Sequence, residues 1–385
     1  MKRPTFSQGS ANPFRSTTLL INPSRYPQYV KTLRRILKRV SIPKIIESRS
    51  AAHFAEEVVR FCNGSGRHLL VWGGDGTAHL AINSFMRARD CGCRLDRKSI
   101  GFLRGGTGNG IQDSYEVPHG IWRQLGTYAE SLQNNYVIDV DLLRIRNGDQ
   151  VSYGQLVGFG FDAEVLRGRE EKKKRLADGS EVAAPGGYRY LFSALRVILS
   201  PMAKIRHHFS LVMRDGKYAY RGPRVNAEFA FEQIERDVAP AMIEVGTRPY
   251  YGKMFKVCPD VVCNDGYMEL YIFNFNRKRW VVRNVGALWA GAHHKINRRL
   301  FGKNRGVIER YELTDLAVAS REPFAFHVDG ELCHAGQDSD GCHRVRIEVA
   351  PLAMSFIVPD RFYRLFHPFD EEEIFDEYDG GSVDV

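Results

Sequence analysis

A buried strand that runs directly into a glycine turn is the feature that most restricts how this sequence can fold. Residues 69–77 read Leu-Leu-Val-Trp-Gly-Gly-Asp-Gly-Thr. Glycine adopts dihedrals that other residues avoid and carries no side chain, so backbone N–H groups in such a turn can converge on phosphate oxygens. Asp75 adds one carboxylate, which a metal ion, a hydroxyl proton or a cation would stabilise. We therefore interpret the turn as a candidate phosphoryl-transfer site.

Strands and helices alternate along the first third of the chain. The sequence predicts strands at 17–22, 44–47, 68–72 and 99–103, and helices at 26–40, 50–62 and 78–89. Alternation at this spacing favours a parallel α/β sheet. Ligands of such sheets bind beyond the carboxyl ends of the strands, where the polar turns of this sequence fall. We predict an α/β domain at residues 15–140.

The pattern changes after about residue 137. Short segments rich in β-branched and aromatic residues follow, interrupted by predicted helices at 188–199 and 280–301. Such segments are typical of an antiparallel sandwich or barrel. The predicted strands are 137–145, 151–158, 209–214, 242–247, 267–273, 311–319, 324–328 and 345–349. We assign residues 141–359 to a β-rich second domain and residues 360–385 to an acidic, disordered tail.

Charge is unevenly distributed along the chain. The formal net charge is +10, although residues 370–385 hold eight acidic residues and neither Lys nor Arg. A basic body of this kind attracts phosphate ligands, acidic lipid or nucleic acid. No apolar run reaches the ~18–20 residues of a spanning helix, and the N-terminus lacks the apolar core of a secretion signal. We expect a cytoplasmic location, either free or peripheral on the inner face of the membrane.

Carboxylates beside flexible turns are the second chemical signal. Phosphoryl transfer needs donors to the phosphates, a divalent cation and a carboxylate that orients or deprotonates the attacking hydroxyl. The sequence offers Asp75, Asp265 before Gly266, and the triplet Asp329-Gly330-Glu331. Asp-Gly is also a common hairpin-turn dipeptide, so a plain turn is the stronger interpretation for Asp265 or Asp329 taken alone. For the turn at 73–77, the preceding buried strand favours a functional role over a plain turn.

Familiar motifs of other enzyme classes are absent from the sequence. It contains no Gly-x4-Gly-Lys-Ser/Thr loop, no His-Glu-x-x-His and no Gly-x-Ser-x-Gly, which argues against Walker-type enzymes, zincins and serine hydrolases. Residues 158–163 fit the dinucleotide fingerprint Gly-x-Gly-x-x-Ala in letters. They lie among predicted β-strands without the βαβ context, so we do not interpret them as a nicotinamide site.

Seven short motifs follow one another along the chain: Asn22-Pro23-Ser24, Gly73-Gly74-Asp75-Gly76-Thr77, Gly106-Thr107-Gly108-Asn109, Gly158 to Ala163, Tyr250-Tyr251-Gly252, Asp265-Gly266 and Asp329-Gly330-Glu331. Their order resembles that of the diacylglycerol/sphingosine lipid kinase family. The resemblance spans about residues 17–359, and motif order across two domains is more specific than any single motif. It implies a Rossmann-like α/β nucleotide domain related to NAD kinases, followed by an antiparallel β-sandwich.

The resemblance also implies an ATP- and Mg²⁺-dependent activity and a set of site residues. The nucleotide site would comprise Asn22, Pro23, Ser24, Ser48, Gly73, Gly74, Gly76, Thr77, Gly106 and Thr107. Asp265, with backbone near Tyr267, matches the magnesium position of bacterial members. Glu331 matches their general base, Asp75 matches the carboxylate with that role in sphingosine kinases, and Asp329 completes the catalytic set.

One further position and three departures concern the same family pattern. Asp162 aligns with the residue that contacts the lipid headgroup hydroxyl in sphingosine kinases. The family usually writes Gly-Gly-Asp-Gly-Thr-x-Asn-Glu, whereas His79 and Leu80 stand here in place of the Asn and Glu. Gly110 replaces the Asp that normally follows Gly-Thr-Gly-Asn. These departures concern nucleotide affinity and activity rather than the fold.

A basic segment at 277–305 is the candidate contact with a membrane. It holds nine Lys and Arg residues around Trp280 and Trp289, a composition suited to acidic headgroups. A solvated face over a core helix is an equally weighted alternative. Nucleic acid is disfavoured because no helix-turn-helix, zinc finger or aromatic RNA-binding signature accompanies the charge. The sequence leaves the oligomeric state open.

The leading hypothesis is therefore a lipid kinase that transfers the ATP γ-phosphoryl group to a hydroxyl of a diacylglycerol-like or sphingoid lipid at a membrane surface. A soluble NAD kinase is the nearest alternative, because it shares the glycine–aspartate turn. A degenerate member that binds lipid or nucleotide without turnover is the other, motivated by Leu80 and Gly110.

Overall fold

The structure is a computed structural model. It describes residues 12–23, 27–106, 108–161, 163–164, 166–168, 207–221, 226–251, 255–275, 277–300 and 308–368. The predicted helix at 188–199 and the predicted site residues Ser24, Thr107 and Asp162 lie outside these ranges. Within them, no helix is both long enough and apolar enough to cross a membrane.

The N-terminal part is a parallel sheet of four strands in the order β4-β3-β1-β2. The strands are β1 (Thr17–Ile21), β2 (Lys44–Glu47), β3 (His68–Gly73) and β4 (Ser99–Arg104). The helices are α1 (Pro27–Leu37), α2 (Ala51–Asn63), α3 (Asp75–Asp90), α4 (Gly110–Ser114) and α5 (Ile121–Gln133). Ile21 pairs with Trp72 and Glu47, and Gly73 pairs with Arg104. The carboxyl ends of the four strands therefore finish along one edge.

Alternating side chains of β3 explain why helices cover both faces of this sheet. Leu69 and Val71 belong to a core that includes residues of α2 and α3, whereas Leu70 and Trp72 belong to a core with residues of α1 and α5. Successive residues of a strand point to opposite faces, so an apolar run becomes buried on both sides. The sequence predicted this layer arrangement correctly.

Helix α3 begins inside the glycine turn, three residues before the predicted start at Ala78. The N–H groups of Thr77 and Ala78 both donate to the carbonyl oxygen of Gly74, each over 3.0 Å. Asp75, Gly76 and Thr77 therefore form the first helical turn. Helix α2 begins as its sequence predicts, because the Ser50 hydroxyl accepts a hydrogen bond from the His53 N–H at 3.1 Å and caps the helix.

The C-terminal part is an antiparallel, strand-rich region. Its strands are β5 (Val137–Asn147), β6 (Gln150–Gly154), β7 (Leu156–Gly160), β8 (Phe209–Arg221), β9 (Asn226–Val238), β10 (Met242–Gly246), β11 (Met268–Phe273), β12 (Ile308–Ser320), β13 (Ala325–Val328), β14 (Glu331–His334), β15 (Gly336–Gln337) and β16 (His343–Ile357). Its helices are α6 (Lys278–Trp289), α7 (His293–Leu300) and α8 (Asp360–Tyr363).

Several elements differ from the sequence prediction. The single strand expected at 151–158 is divided into β6 and β7 at Gln155, and β9 was not predicted. The long helix expected at 280–301 is two helices, because Gly291 adopts a positive φ of 66° between α6 and α7. A left-handed residue of this kind ends a helix, and glycine occupies it without steric cost.

Strand β16 joins the two parts into one continuous sheet. Its Ser355 and Phe356 pair in parallel with β4, and its earlier residues pair antiparallel with β12. The division predicted at residues 140/141 falls inside β5, which pairs with β16 along most of its length. The fold class is confirmed: a parallel α/β part is followed by an antiparallel β-rich part.

The segment 360–368, which was predicted to belong to a disordered tail, is folded. Asp360–Tyr363 form α8, and Phe362 is buried with its ring 5.2 Å from the ring of Tyr115. Burial of Phe362, with Tyr363 and Phe366 packed partly against the same core, offsets part of the cost of ordering this segment. Residues 369–385, which carry the eight acidic residues, lie outside the described residues.

Candidate active site

Two glycine turns meet at the carboxyl ends of β3 and β4. A Cβ atom placed on Gly74 would lie 2.9 Å from the Cα atom of Gly106, and one placed on Gly106 would lie closer still to Gly74. Real Cβ contacts essentially never fall below 3.0 Å. The two backbones therefore touch, and the two turns form one continuous surface.

Close approach, rather than unusual dihedrals, explains these glycines. None of Gly73, Gly74, Gly76, Gly106 and Gly108 has a positive φ. Each has instead a neighbouring atom, side chain or backbone, within 3.0 Å of its would-be Cβ position. The sequence argument from dihedral freedom was therefore wrong for these positions, although its conclusion that glycine is required there remains.

Strand β1 contributes an amide to this surface. The Asn22 Nδ2 donates to the Thr77 Oγ1 at 3.0 Å, so the residue after β1 is fixed to the first turn of α3. Pro23 follows directly. Ser48 is buried, and its hydroxyl donates to the Ile21 carbonyl at 3.2 Å. Ser48 therefore holds the ends of β1 and β2 together.

The N-terminus of α3 gives this surface its chemical character. The first N–H groups of an α-helix have no acceptor within the helix, and the helix dipole makes this end positive. Gly74, which precedes the helix, carries no side chain to cover that end, and the Asn22 side chain borders it. Such an arrangement binds phosphate groups. The structure therefore brings Asn22, Gly74, Gly76, Thr77 and Gly106 together as sequence predicted.

Asp75 spans the space between the two turns. Its Oδ1 accepts a hydrogen bond of 2.5 Å from the Gly110 N–H, at the start of α4. Burial raises the pKa of this carboxyl group, opposed by the Arg248 guanidinium and by the N–H groups of Gly110 and Ile111. A side chain at Gly108 would collide with the Asp75 Oδ2. Gly110, noted as a family departure, therefore contributes a backbone donor to Asp75.

Asp329 forms the turn of a β-hairpin and is also the most enclosed carboxylate of the site. Asp329 and Gly330 have φ values of 50° and 89°, and Val328 pairs with Glu331, which is the geometry of a two-residue hairpin turn. Its side chain is fully buried. Asp329 is therefore both a hairpin-turn residue and part of the candidate site.

Four groups donate hydrogen bonds to the Asp329 carboxylate. They are the N–H groups of Gln155 and Leu156, the Arg248 Nη2 at 3.1 Å and the His79 Nδ1 at 3.3 Å. Burial alone would raise the pKa of Asp329, but the contacts with His79 and Arg248 hold that pKa at about 2. A carboxylate in this state anchors its neighbours and does not take up a proton near neutral pH.

Glu331 lies two residues beyond Asp329 and is exposed. Its Oε1 is 2.5 Å from the position that a Cβ atom on Gly76 would occupy. The predicted general base is therefore over the first turn of α3, beside the predicted phosphate surface. A base must lie within hydrogen-bond reach of the hydroxyl that it deprotonates, so Glu331 in this position could act only on a hydroxyl that approaches Gly76.

Two residues that the sequence did not assign to the site complete it. Arg248 is fully buried between Asp329 and the carbonyl oxygen of Tyr250, to which its Nη1 donates. His79, noted only as a departure from the family, is the other cation-capable partner of Asp329. Leu80 packs against an apolar core cluster instead of facing this network. No motif marks Arg248, whereas the unusual His79 was a visible signal.

The predicted magnesium residues lie in a separate turn. The Asp265 Oδ1 accepts from the Tyr267 N–H at 3.0 Å, and the Gly266 N–H donates to the buried Asp141 at 2.7 Å. Burial raises the pKa of Asp265, as do the negative charges of Asp141 and Glu312. No group of three or more His, Cys, Asp or Glu residues in the described chain is arranged to hold a metal. An oxygen donor in an acidic setting fits Mg²⁺ that keeps most of its waters.

Comparison with known proteins agrees with this architecture. Residues 17–145 match the model of the diacylglycerol kinase catalytic domain family. None of the curated proteins matches the chain. A diacylglycerol kinase from Bacillus anthracis strain Sterne is similar in structure, with a TM-score of 0.56, 14% identity, and coverage of 90% of this chain and 97% of that chain.

Two further solved structures, of candidate diacylglycerol kinases from the same strain, share 16% identity with this chain. Their TM-scores are 0.57 and 0.56, with 90% of this chain covered and 97% and 98% of theirs. At such identity the likeness concerns the fold. The chain therefore has the fold of these kinases, and its residues 17–145 match the model of the diacylglycerol kinase catalytic domain.

Proposed function

We propose that the protein is a lipid kinase that transfers the γ-phosphoryl group of ATP to a hydroxyl of a diacylglycerol-like or sphingoid lipid. The observation that carries the proposal is the position of the Glu331 carboxylate over Gly76, at the N-terminal turn of α3. A phosphate surface and an exposed carboxylate side by side are two of the three parts that phosphoryl transfer to a hydroxyl requires, the third being a divalent cation. The family of residues 17–145 supports a kinase.

The nucleotide phosphates would bind between the two glycine turns. Asn22 and Thr77 would border them through their linked side chains, and the backbone at Gly74 and Gly106 would form the floor. Ser24 and Thr107 remain predictions in this role. Asp75 would keep the two turns at a fixed separation through its bond to the Gly110 N–H.

Glu331 would accept the proton of the lipid hydroxyl as it attacks the γ-phosphorus. Its exposure lets a substrate reach it, unlike Asp329, which is enclosed. Asp329 would act instead as a positioning residue, since its bonds to Arg248 and His79 fix the turn from which Glu331 extends. Asp162 would contact the acceptor headgroup.

Magnesium would neutralise phosphate charge during transfer, as divalent cations do in kinases. Asp265 and the backbone near Tyr267 would hold a magnesium ion in the turn that Asp141 fixes. An ion in this turn would stabilise the β-rich part, and the ion that neutralises phosphate charge would be bound together with ATP.

The test is transfer of labelled phosphate from ATP to a panel of dioctanoylglycerol, sphingosine and NAD⁺. We expect a labelled lipid, and we expect Glu331→Gln to lower kcat by about 10²–10⁴-fold, the usual contribution of a general base. Glu322→Gln, which changes another exposed carboxylate before β13, is the matched control. ATP affinity measured by calorimetry should change little in either variant.

Labelled NADP instead of labelled lipid would make the chain an NAD kinase. Retention of more than a tenth of wild-type turnover by Glu331→Gln would remove Glu331 from the mechanism. ATP binding without transfer to any acceptor would favour a binding protein without turnover. Leu80 motivates this second candidate, because an apolar core contact replaces the acid that the family usually has there.

A further inference from the structure

The helical pair α6–α7 presents a cationic and apolar face to solvent. The sequence 277–300 contains no Asp or Glu. Among the residues of this pair with described side chains, five cations are exposed: Arg279, Arg283, Lys295, Arg298 and Arg299. A solvated helix face normally mixes both signs of charge, so a face with one sign only is complementary to an anionic partner.

An apolar stripe runs through these cations. Val282 and Val285 are each 54% exposed and Trp289 is 41% exposed, at spacings that place the three on one side of α6. Trp280 and Leu288, on the other side, are buried against the β-rich part. Of the two tryptophans that the sequence singled out, Trp280 is therefore a core residue and Trp289 alone is at the surface.

This stripe is continuous with the candidate active site. The Trp289 ring stacks on Phe255 at 5.3 Å, and its carbonyl accepts from the Lys256 N–H at 3.1 Å. The Tyr251 N–H donates to the Phe255 carbonyl at 2.8 Å. The Tyr251 hydroxyl is 3.9 Å from the position of a Cβ atom on Gly330, in the turn that carries Glu331. Contacts of Phe255 and Tyr251 thus connect the exposed stripe to the turn that carries the predicted base.

We propose that the exposed face of α6–α7, formed by Val282, Val285, Trp289 and the surrounding cations, docks on an anionic lipid bilayer. The proposal rests on the proposed function only for the identity of the acceptor, since the docking itself requires no phosphoryl transfer. Cations attract acidic headgroups, and exposed valine and tryptophan side chains insert at the boundary of headgroups and acyl chains. Nucleic acid would use the cations but would leave the valines without a role.

Helix α1 supplies a matched control. It also exposes cations, at Lys31 and Arg35, but its apolar residues Val30, Leu33, Ile36 and Leu37 are all buried. Substitutions there remove the same charge without touching an apolar stripe. If the basic body is attracted to anionic vesicles in general, substitutions in α1 and in α6–α7 should weaken vesicle binding equally. If the α6–α7 face docks, only substitutions in α6–α7 should weaken it strongly.

The experiment is co-sedimentation of the full chain with vesicles of phosphatidylcholine alone or with 30% phosphatidylglycerol, in the absence of nucleotide. We expect binding only to the anionic vesicles. Arg283→Gln/Arg298→Gln should weaken it about 25-fold, at about fivefold per cation. Val282→Ser/Val285→Ser should weaken it about tenfold without loss of charge. Lys31→Gln/Arg35→Gln should change it less than about threefold. Circular dichroism confirms that each variant is folded.

Tryptophan fluorescence gives a second measurement. Trp72 and Trp280 are buried and Trp122 is half-buried, so the part of a blue shift on addition of vesicles that is lost in Trp289→Phe arises from Trp289. Wild-type binding by the valine variant, or an equal loss in the α1 control, would overturn the proposal. Binding of a duplex oligonucleotide that depends on Arg283 and Arg298, with vesicle binding unchanged, would assign the face to nucleic acid instead.

Activity on dioctanoylglycerol dispersed below its micelle concentration separates the two proposals. Vesicle binding that depends on α6–α7 without any kinase activity would reject the proposed function and leave the docking face in place. Kinase activity on dispersed substrate by a protein that does not bind anionic vesicles would reject the docking proposal and leave the proposed function in place. If both proposals are correct, the α6–α7 variants keep activity on dispersed substrate and lose it on substrate embedded in vesicles.

Discussion

The buried Asp329 carboxylate is the point at which the stability of this fold and the geometry of its candidate site are most closely coupled. We predict that Asp329→Asn destabilises the protein strongly and in a pH-dependent way. Asparagine keeps an oxygen that can accept from the Gln155 and Leu156 N–H groups. It removes the negative charge opposite Arg248 and His79.

The loss of folding free energy in Asp329→Asn has two contributions. The fall of the Asp329 pKa from 3.8 to about 2 corresponds to about 2 kcal/mol of folding free energy. Loss of the carboxylate also leaves the Arg248 guanidinium buried and without its counter-ion, and breaking a buried pair in this way costs about 3–5 kcal/mol. The second effect includes the first, so the expected loss at pH 7 is about 3–5 kcal/mol.

Urea unfolding of wild type and variant measures this difference. Because folding lowers the pKa of Asp329, its stabilising contribution is complete above pH 4 and decreases as the pH falls toward 2. The ionisation part of the difference between wild type and Asp329→Asn should therefore shrink by about 1 kcal/mol between pH 7 and pH 3. Asn at this position does not titrate, so the variant carries no ionisation at residue 329.

The control is Asp338→Asn, which removes an Asp paired with Arg344 at the surface. Surface substitutions of this kind change stability by about 0.5 kcal/mol or less. A loss below about 1 kcal/mol for Asp329→Asn, or a difference from wild type that is the same at pH 7 and pH 3, would refute the assignment of Asp329 as an anchored anion.

Two further predictions concern single positions. Gly106→Ala should weaken ATP binding at least tenfold in a calorimetric titration, because its Cβ atom would push the backbone of Gly74 away; Gly286→Ala, at a helix position with open space, should leave ATP affinity unchanged. Ser50→Ala should lower the urea-unfolding free energy by about 1 kcal/mol through loss of the cap to the His53 N–H, with kcat unaffected.

The local sequence pattern predicted the strands in the interior of the sheet. It failed for elements whose formation depends on residues distant in sequence. Strand β2 has the predicted bounds Lys44–Glu47, and β3 and β4 are each one residue longer than predicted. Strand β9 escaped detection because, among the described residues, β8 is its only pairing partner and because it is largely exposed. An edge strand that buries little of its surface has no apolar alternation to recognise.

The residues of the candidate site divide in the same way, into those that local sequence predicted and those that it did not. The residues near one another in sequence, such as Gly74 and Thr77, were predicted together. Arg248 was not, because its partner Asp329 lies 81 residues further along the chain and a lone arginine after a strand carries no pattern. The contact of His79 with Asp329 spans 250 residues. His79, which departs from the family motif, contacts Asp329, and the two residues come together only in the folded chain.

The glycines show most clearly what the three-dimensional structure adds to the motif. From sequence, Gly-Gly-Asp-Gly is a flexible turn whose glycines supply rare dihedrals. In the structure Gly76 has no such dihedral and lies in the first turn of a helix, where alanine would ordinarily be preferred. Among the described residues, the atom nearest to a side chain at this position would be the Glu331 carboxylate, which ends an exposed side chain. Glycine at 76 therefore keeps open the space beside Glu331, 255 residues away, and does not serve the dihedrals of its own turn.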